Sequence, residues 1–482
     1  MANTRRMPGQ IKYIIGNEAA ERFSYYGMAA ILFTYMATMM PAGEAKAGYH
    51  NFVALCYLLP LVGGYLSDRF LGKYKTIISL SLVYCAGHAV LSATEGSLTG
   101  MYVGLGMIAL GAGGIKPCVS AHVGDQFDTS NKHLVNRAYN FFYWSINLGS
   151  LFSTLLIPWV KDRYGWSLAF AIPGALMFVA TFVFWLGRKH YVHVPPTGKN
   201  PHSFTRVVFH MLTGDAEKHH SKEVLDGVRA VFRVIGLFAG ISLFWTLFHQ
   251  HGSTWTAQAG QLDRQLWGFT IADEQVQALN PLLIITLVPL FSLVLFPALA
   301  RRGWNVSPLR KMTVGMFLTA SSFVLAALLQ RKIDGSPAHT VSVGWQFFPY
   351  LIITVAEILV SATGLEFAYT QAPRAMKSTV MSFWLLTVFV GNKIAAFVFA
   401  DLDIHGEDMF WLFSGMMVVA ALGFAVVARF YKVVEYIEAA PPQGKPGSKI
   451  EFEDRSQPIP LSEAADLVVP PPADRREGRP EA

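Results

Sequence analysis

The sequence predicts an all-α membrane protein of twelve transmembrane helices, arranged as two six-helix bundles. Three observations carry that expectation. Only 15% of the 482 residues are charged, against 52% hydrophobic, where a soluble domain carries about 25% charged residues. Uncharged runs recur, as at 52–65, 168–186, 281–299 and 410–428, each near the roughly 20 residues a helix needs to cross about 30 Å of hydrocarbon. A polar segment in mid-chain then separates six such runs from six.

Hydropathy places the spans at 11–40, 50–68, 76–93, 99–123, 138–158, 167–187, 229–252, 279–299, 309–330, 344–370, 377–400 and 408–432. The implied organisation is a first bundle over 1–188, a cytosolic linker over 189–228, a second bundle over 229–436 and a tail over 437–482. The tail is rich in Pro, Glu and Asp and is expected to be disordered and cytosolic. With the N-terminus inside, the short inner segments hold fourteen Lys and Arg, from Arg5 and Arg6 to Arg374 and Lys377. The outer ones hold six: Lys46, Lys161, Arg163, Arg264, Arg331 and Lys332. That asymmetry points to both termini in the cytoplasm. It also accounts for the net charge of +7 without a nucleic-acid partner. Cys56, Cys85 and Cys118 all fall in predicted helices and suggest no disulfide framework. The start of the chain places Glu18, Glu21 and Arg22 where a cleavable leader would have its apolar core. The linker's six histidines lack compact metal-ligand spacing and read as solvated; the piece 204–212 reads as an amphipathic surface helix.

Span 2 is followed by DRFLGKYK and span 8 by ARRGWNVSPLRK, a basic loop at matching positions of the two halves. GGYLSDRFLGKYK resembles the loop signature of the major facilitator superfamily, through Gly64, Asp68, Arg69, Gly72 and Lys73. The resemblance implies that architecture, built from repeats around a midplane site.

An ionisable group at membrane depth is costly and marks function by default. In span 1, Glu18, Arg22, Tyr25 and Ala29 form one stripe at about 100° per residue, with Glu21 and Tyr26 on its shoulders. Such a stripe belongs against a wet cavity. A packing pair between Glu18 and Arg22, four apart, is the plainer reading and leaves Glu21 unmatched. Span 4 projects Lys116 just before Pro117; a buried lysine seeks an acid, and Glu18 or Glu21 is the expected partner. His50, near the outer end of span 2, is either a titrating group or a capping or interfacial histidine. The second half offers Trp245 and His249 in span 7, Asn280 opening span 8, Glu357 deep in span 10 without a local partner, and Trp384 in span 11. Trp245 and Trp384 are candidate pocket walls, and a ligand ammonium would complete Glu357. Glu366 and Lys393 read as structural.

NEAAERFSYYG resembles the E-x-x-E-R-F-x-Y-Y-G signature of proton-coupled oligopeptide transporters. GAGGIKPCVSAHVGDQF and FYWSINLGSLFST resemble that family's span 4 and span 5 signatures. YHNFVALCYLLPLVGG, FHQHGSTW and GLEFAYTQAPRAMKS are similar to it as well, in order, over about 11–430. The resemblance implies a symporter of di- and tripeptides with protons as coupling ion and no other cofactor. Glu18, Glu21, Arg22 and Lys116 would couple the proton, with His50 a further candidate. Arg22 and Lys116 would face the peptide carboxylate, Tyr25, Tyr26 and Tyr57 its backbone, and Asn147, Asn280 and Glu357 its ammonium. Trp245 and Trp384 complete the candidate site. The chain departs from the pattern at Ala29, where many members carry Arg, and at His249 and Gln250, where many carry an acid. The short linker and the short 331–343 loop lack the extra elements of other members, which implies a bacterial inner-membrane protein working as a monomer.

A nitrate or small-anion carrier is the alternative within transport, because plant relatives use a span 7 histidine; the intact E-x-x-E-R and Glu357 speak against it. No metal-spaced His/Glu pair, nucleophile elbow or phosphate loop speaks for an enzyme.

Overall fold

Backbone polar groups in hydrocarbon find no water, so each spanning segment must satisfy its own, and helices do so. The computed structural model describes residues 7–127, 131, 134–196, 198, 203–303, 307–371, 376–402, 404–431 and 433. Its first half holds α1 (Ile11–Ala37), α2 (Ala42–Leu66), α3 (Lys73–Ala93), α4 (Leu98–Asp125), α5 (Val135–Tyr164) and α6 (Trp166–Leu186). Two short helices, α7 (Phe204–Thr213) and α8 (Ala216–His219), lead to α9 (Lys222–Phe248) and, past a tight turn His249–Gly252, to α10 (Thr254–Ala259). The turn Asp273–Ala278 then opens α11 (Leu279–Leu290), which continues through a π-helical turn (Phe291–Leu295) into α12 (Phe296–Arg301). The rest of the second half is α13 (Pro308–Asp334), α14 (Phe347–Glu357), a π turn (Ile358–Ala362), α15 (Thr363–Thr370), α16 (Lys377–Asp401) and α17 (Gly406–Phe430).

Eleven of the described helical stretches are long and apolar enough to cross a membrane. The twelfth long helix is α1, 27 residues or about 40 Å, whose apolarity is lowered by Glu18, Glu21 and Arg22. All twelve expected spans are thus helical, and this is a multi-pass membrane protein. Several helices outrun their apolar stretch: α2 begins at Ala42 and α5 reaches Tyr164, because their ends carry Lys46, Lys161 and Arg163 out of the hydrocarbon.

Two apolar cores form, one within α1–α6 and one among α7–α17. In the first, glycines set the spacing. A Cβ on Gly63 of α2 would lie 2.1 Å from the Gly114 carbonyl oxygen of α4, and one on Gly87 of α3 would lie 2.8 Å from the Gly104 oxygen. Backbone meets backbone there, the close approach small residues permit between membrane helices. Across the halves, α2 packs along α16, while α1 and α5 meet the Asp273–Ala278 turn. The linker corrects one expectation. Its α7 is helical where predicted and buries Val207; His190, His193 and His219 are exposed as expected, whereas His220 is buried with its Nε2 2.8 Å from Nδ1 of the half-buried His210. Between α10 and α11 the sequence also conceals a hairpin, Gln265–Leu266 paired with Phe269–Thr270 through Trp267 and Gly268 at positive φ. The expected tail over 437–482 lies outside the described residues.

Candidate functional site

The site begins on α1, where the four-residue step brings Glu18 beside Arg22. Arg22 Nε donates to Glu18 Oε1 at 2.6 Å and lies 3.2 Å from Glu21 Oε2. One guanidinium therefore lies against two buried carboxylates, so the Glu18–Arg22 pair does not leave Glu21 unmatched. Lys116 corrects a second expectation. Among the described residues no carboxylate lies within 4.0 Å of its ammonium. It sits instead over the rings of Tyr25 (4.5 Å to the centroid) and Tyr57 (4.4 Å). Both glutamates are already engaged by Arg22, whose charge repels a second cation, and two ring faces offer what the carboxylates do not. The Gly63–Gly114 contact, two residues from Lys116, delivers it to Tyr57 of the neighbouring helix.

The opposite wall belongs to the second half. Glu357 closes α14 at the π turn, and it is not unpartnered: Asn280 Nδ2 donates to its Oε2 at 2.7 Å and to Thr354 Oγ1 at 3.2 Å. Tyr26 and Tyr57 lie within electrostatic reach of both Arg22 and Glu357, so the phenols bridge the two charged walls. Asn147 turns its amide back on α5, donating to the Tyr143 carbonyl at 3.0 Å. The Tyr143 side chain, which the sequence reading passed over, stands by both Asn147 and Glu357; its place four residues before Asn147 in FYWSIN was the available signal. Trp245 stacks on His249 at 5.5 Å. Trp384 departs from the expected pocket wall: it is buried edge-on to Phe238 and Trp245, and packs so tightly on Gly364 that a Cβ there would approach its ring to 2.4 Å.

His50 is neither a cap nor interfacial. It is fully buried between the halves, donating from Nδ1 to Asn392 Oδ1 at 2.9 Å and accepting at Nε2 from the Ser253 hydroxyl at 3.0 Å. Asn392 Nδ2 in turn donates to His249 Nδ1 at 3.0 Å. The amide thus joins two neutral imidazoles from different halves, each with a satisfied nitrogen. The end of the molecule carrying the α1 C-terminus is tied further. Glu274, fully buried, accepts from Lys161 Nζ at 2.6 Å and from the Thr34 hydroxyl at 2.5 Å, and Gln277 Nε2 donates to the Ala30 carbonyl at 3.1 Å. At the departures from the resemblance, Ala29 and Gln250 are both buried, the Gln250 amide donating to Thr246 of its own helix at 3.2 Å. Lys393 donates to Asn51 across the halves at 2.6 Å.

Comparison with known proteins sharpens the picture. Residues 74–226 and 216–403 match the model of the POT family. Mouse solute carrier family 15 member 2 is 40% identical over 362 residues, covering 68% of this chain and 50% of that protein. Human solute carrier family 15 member 1 is 39% identical over 372 residues, covering 68% of this chain and 52% of that protein. The chain spans about half the length of these curated relatives. A crystal structure of an auto-inhibited POT family peptide transporter superimposes with a TM-score of 0.83 at 40% identity, covering 90% of this chain and 99% of that one. With the fold, the order of its charged helices and two thirds of its length accounted for, the chain belongs to the POT family.

Proposed function

We propose that this protein is a proton-coupled symporter that imports di- and tripeptides across a bacterial inner membrane, with both termini cytoplasmic. The observation that carries the reading is the separation of charge across one site: Arg22 and Lys116 on the first half, Glu357 on the second, phenols between. A short peptide at neutral pH is a zwitterion, and its carboxylate and ammonium match those walls. Lys116 leaves its aromatic seat for the carboxylate, and the ammonium takes the place of the Asn280 amide on Glu357. Asn147, beside Tyr143, joins the ammonium. Tyr25, Tyr26 and Tyr57 contact the backbone; Trp245 shapes the floor with His249, and Trp384 supports it from behind.

Glu18, Glu21, Arg22 and Lys116 couple the proton. With two carboxylates on one guanidinium, protonating Glu21 frees part of Arg22 for the peptide carboxylate, so proton and peptide favour each other. His50 contributes at the closed end: as an imidazolium it can no longer accept from Ser253, which loosens that tie between the halves. The ends then open alternately, the first bundle (1–188) rocking on the second (229–436) with 189–228 as linker and 437–482 as tail. The proton is the only coupling ion and no cofactor is required; the lipid bilayer is the surroundings, and one chain suffices. Relatives named as peptide transporters support this reading. A small-anion carrier is disfavoured because Asn392 already occupies His249 Nδ1.

Purified protein in proteoliposomes should exchange labelled dialanine and accumulate it under an inward proton gradient, with collapse by a protonophore. Exchange of nitrate but not of dialanine would reject the reading.

A further inference from the structure

On α1, Asn17, Glu21 and Ser24 fall within an arc of about 60°, turned roughly 100° from the face that carries Glu18, Arg22 and Tyr25. On α3, Ser81, Tyr84 and His88 form a matching arc. The two helices run in the same direction but their backbones scarcely touch, each packing on α4 and α6, and the two sets approach through side chains in the same order. At the upper rung the Ser24 hydroxyl and His88 Nε2 are 3.1 Å apart, and His88 Nδ1 reaches the Phe170 carbonyl at 3.2 Å. At the middle rung Tyr84 lies beside Ser24 and within electrostatic reach of Glu21. One turn nearer the helix N-termini the same faces carry Asn17 and Ser81. All six residues are buried. Below the upper rung, both polar atoms of Asn17, the Tyr84 hydroxyl and the Ser81 hydroxyl have no hydrogen-bond partner in the protein, and Glu21 has only its Oε2 beside Arg22, with Oε1 unpartnered.

A buried polar atom left unpartnered costs about 1–3 kcal/mol. Five such atoms on one seam are a lining for bound water, which takes two to four polar partners wherever it is buried. We propose that the α1–α3 seam is a hydrated proton route leading from Glu21 to the N-terminal ends of these helices, behind the peptide site and separate from it. The proposal rests on the symport reading above and assigns to Asn17, Ser81 and Tyr84 a role in proton exit. Glu21 gives its proton to the chain of hydroxyls and waters, each member passing one proton on as it accepts another. The carboxylate left behind is held by Arg22. Glu21 is faced by Glu18 and Arg22 of its own helix, Lys116 of α4, Cys56 of α2 and Tyr84 of α3. Tyr26 of its own helix also faces it, and α5 brings the backbone of Gly149 against Ala19, Arg22 and Phe23 of the same turn. The Ser24–His88 rung closes the seam above, and Ile14 and Ile77, both fully buried, follow toward the two helix N-termini.

The test is the Ser81→Ala, Tyr84→Phe double variant in dialanine proteoliposomes loaded with a pH-sensitive dye. Each change removes one buried hydroxyl with no partner at hydrogen-bonding distance and angle, Tyr84's lying beside Ser24, so melting temperature and dialanine counterflow at equal pH should stay near wild type. Gradient-driven accumulation and peptide-induced acidification should each fall at least tenfold. Asn17→Leu should act likewise. Wild-type accumulation and acidification in the double variant would overturn the proposal. So would equal loss of counterflow and accumulation in a well-folded variant, which would make the seam part of the peptide site. If the double variant does not fold, the two single variants decide by the same measures. Wild-type protein that exchanges no dialanine would instead overturn the peptide reading on which the proposal rests.

Discussion

Replacing Glu274 by Gln should unlock the end of the molecule that is closed here. Glu274 is fully buried, and Lys161, whose side chain is only 14% exposed, approaches it to 2.6 Å. At that distance the direct Coulomb energy is about 6 kcal/mol for an effective dielectric near 20. Most of it is offset by the cost of stripping water from both charges, and close charge pairs across interfaces retain about 1.5–7 kcal/mol of coupling. Lys161 keeps a second carboxylate, Asp162 at 3.1 Å, and a glutamine can still accept from Thr34. The net loss is therefore placed near the lower end, about 2 kcal/mol, or about 30-fold in the equilibrium between closed and open. Spin labels at Tyr164 and Phe269, both exposed and on opposite halves, in a background lacking Cys56, Cys85 and Cys118, report that equilibrium by distance distribution. A longer-distance population should grow in Glu274→Gln. A second change, Lys161→Met, should then add little, giving a coupling in the double-mutant cycle. An unchanged distribution, or strictly additive effects, would show that the pair does not lock the halves.

Three further outcomes are expected. Lys116→Ala should abolish gradient-driven accumulation while sparing much of the counterflow, because the ammonium over Tyr25 and Tyr57 is the only charge α4 offers to the Glu18–Arg22–Glu21 cluster; normal accumulation would remove Lys116 from coupling. N-acetylated dialanine should compete poorly, and Glu357→Gln should weaken dialanine by a similar factor, since loss of a charge-assisted contact in a desolvated site costs about 2–5 kcal/mol; equal competition by the acetylated peptide would dismiss Glu357 as the ammonium site. Asn392→Leu should lower the melting temperature, as the buried nitrogens of His50 and His249 each lose a partner at about 1–3 kcal/mol, whereas Asn392→Asp should lower it less; two unchanged melting curves would mean the three side chains do not depend on one another.

The helices were legible because membrane burial writes itself into composition: every expected span is helical, and span 1 was recoverable despite its charges because E-x-x-E-R lies inside a long apolar frame. The cluster of Glu18, Glu21 and Arg22 was legible too, since helical periodicity alone brings those side chains together. Partners on other helices were not. The sequence shows that Lys116 needs compensation, but not that Arg22 has already taken both carboxylates or that two rings stand nearer. His50 reads as interfacial from its place near a span end, and only the packing of α2 along α16 reveals that Asn392 meets it. Glu274 falls in the expected loop between spans 7 and 8, where nothing in the sequence singles it out, and Lys161 stands among the outer-loop charges. Their pairing crosses 113 residues of sequence, and no local pattern encodes it.

The contact between Gly63 and Gly114 sets a mechanical tolerance. Along α2, the side facing α4 is fixed by two backbones in direct touch, with no side chain to compress or rotate. The side facing α16 is fixed by His50 with Asn392 and by Lys393 with Asn51, hydrogen bonds that can break and re-form. A helix so mounted behaves like a panel rigidly bolted along one edge and latched along the other. Any rearrangement of the halves will carry α2 and α4 as a single piece and slip at α16. The backbone that carries Lys116 then travels with that of Tyr57, and a single added methyl at Gly63 would be felt first as a displaced ammonium.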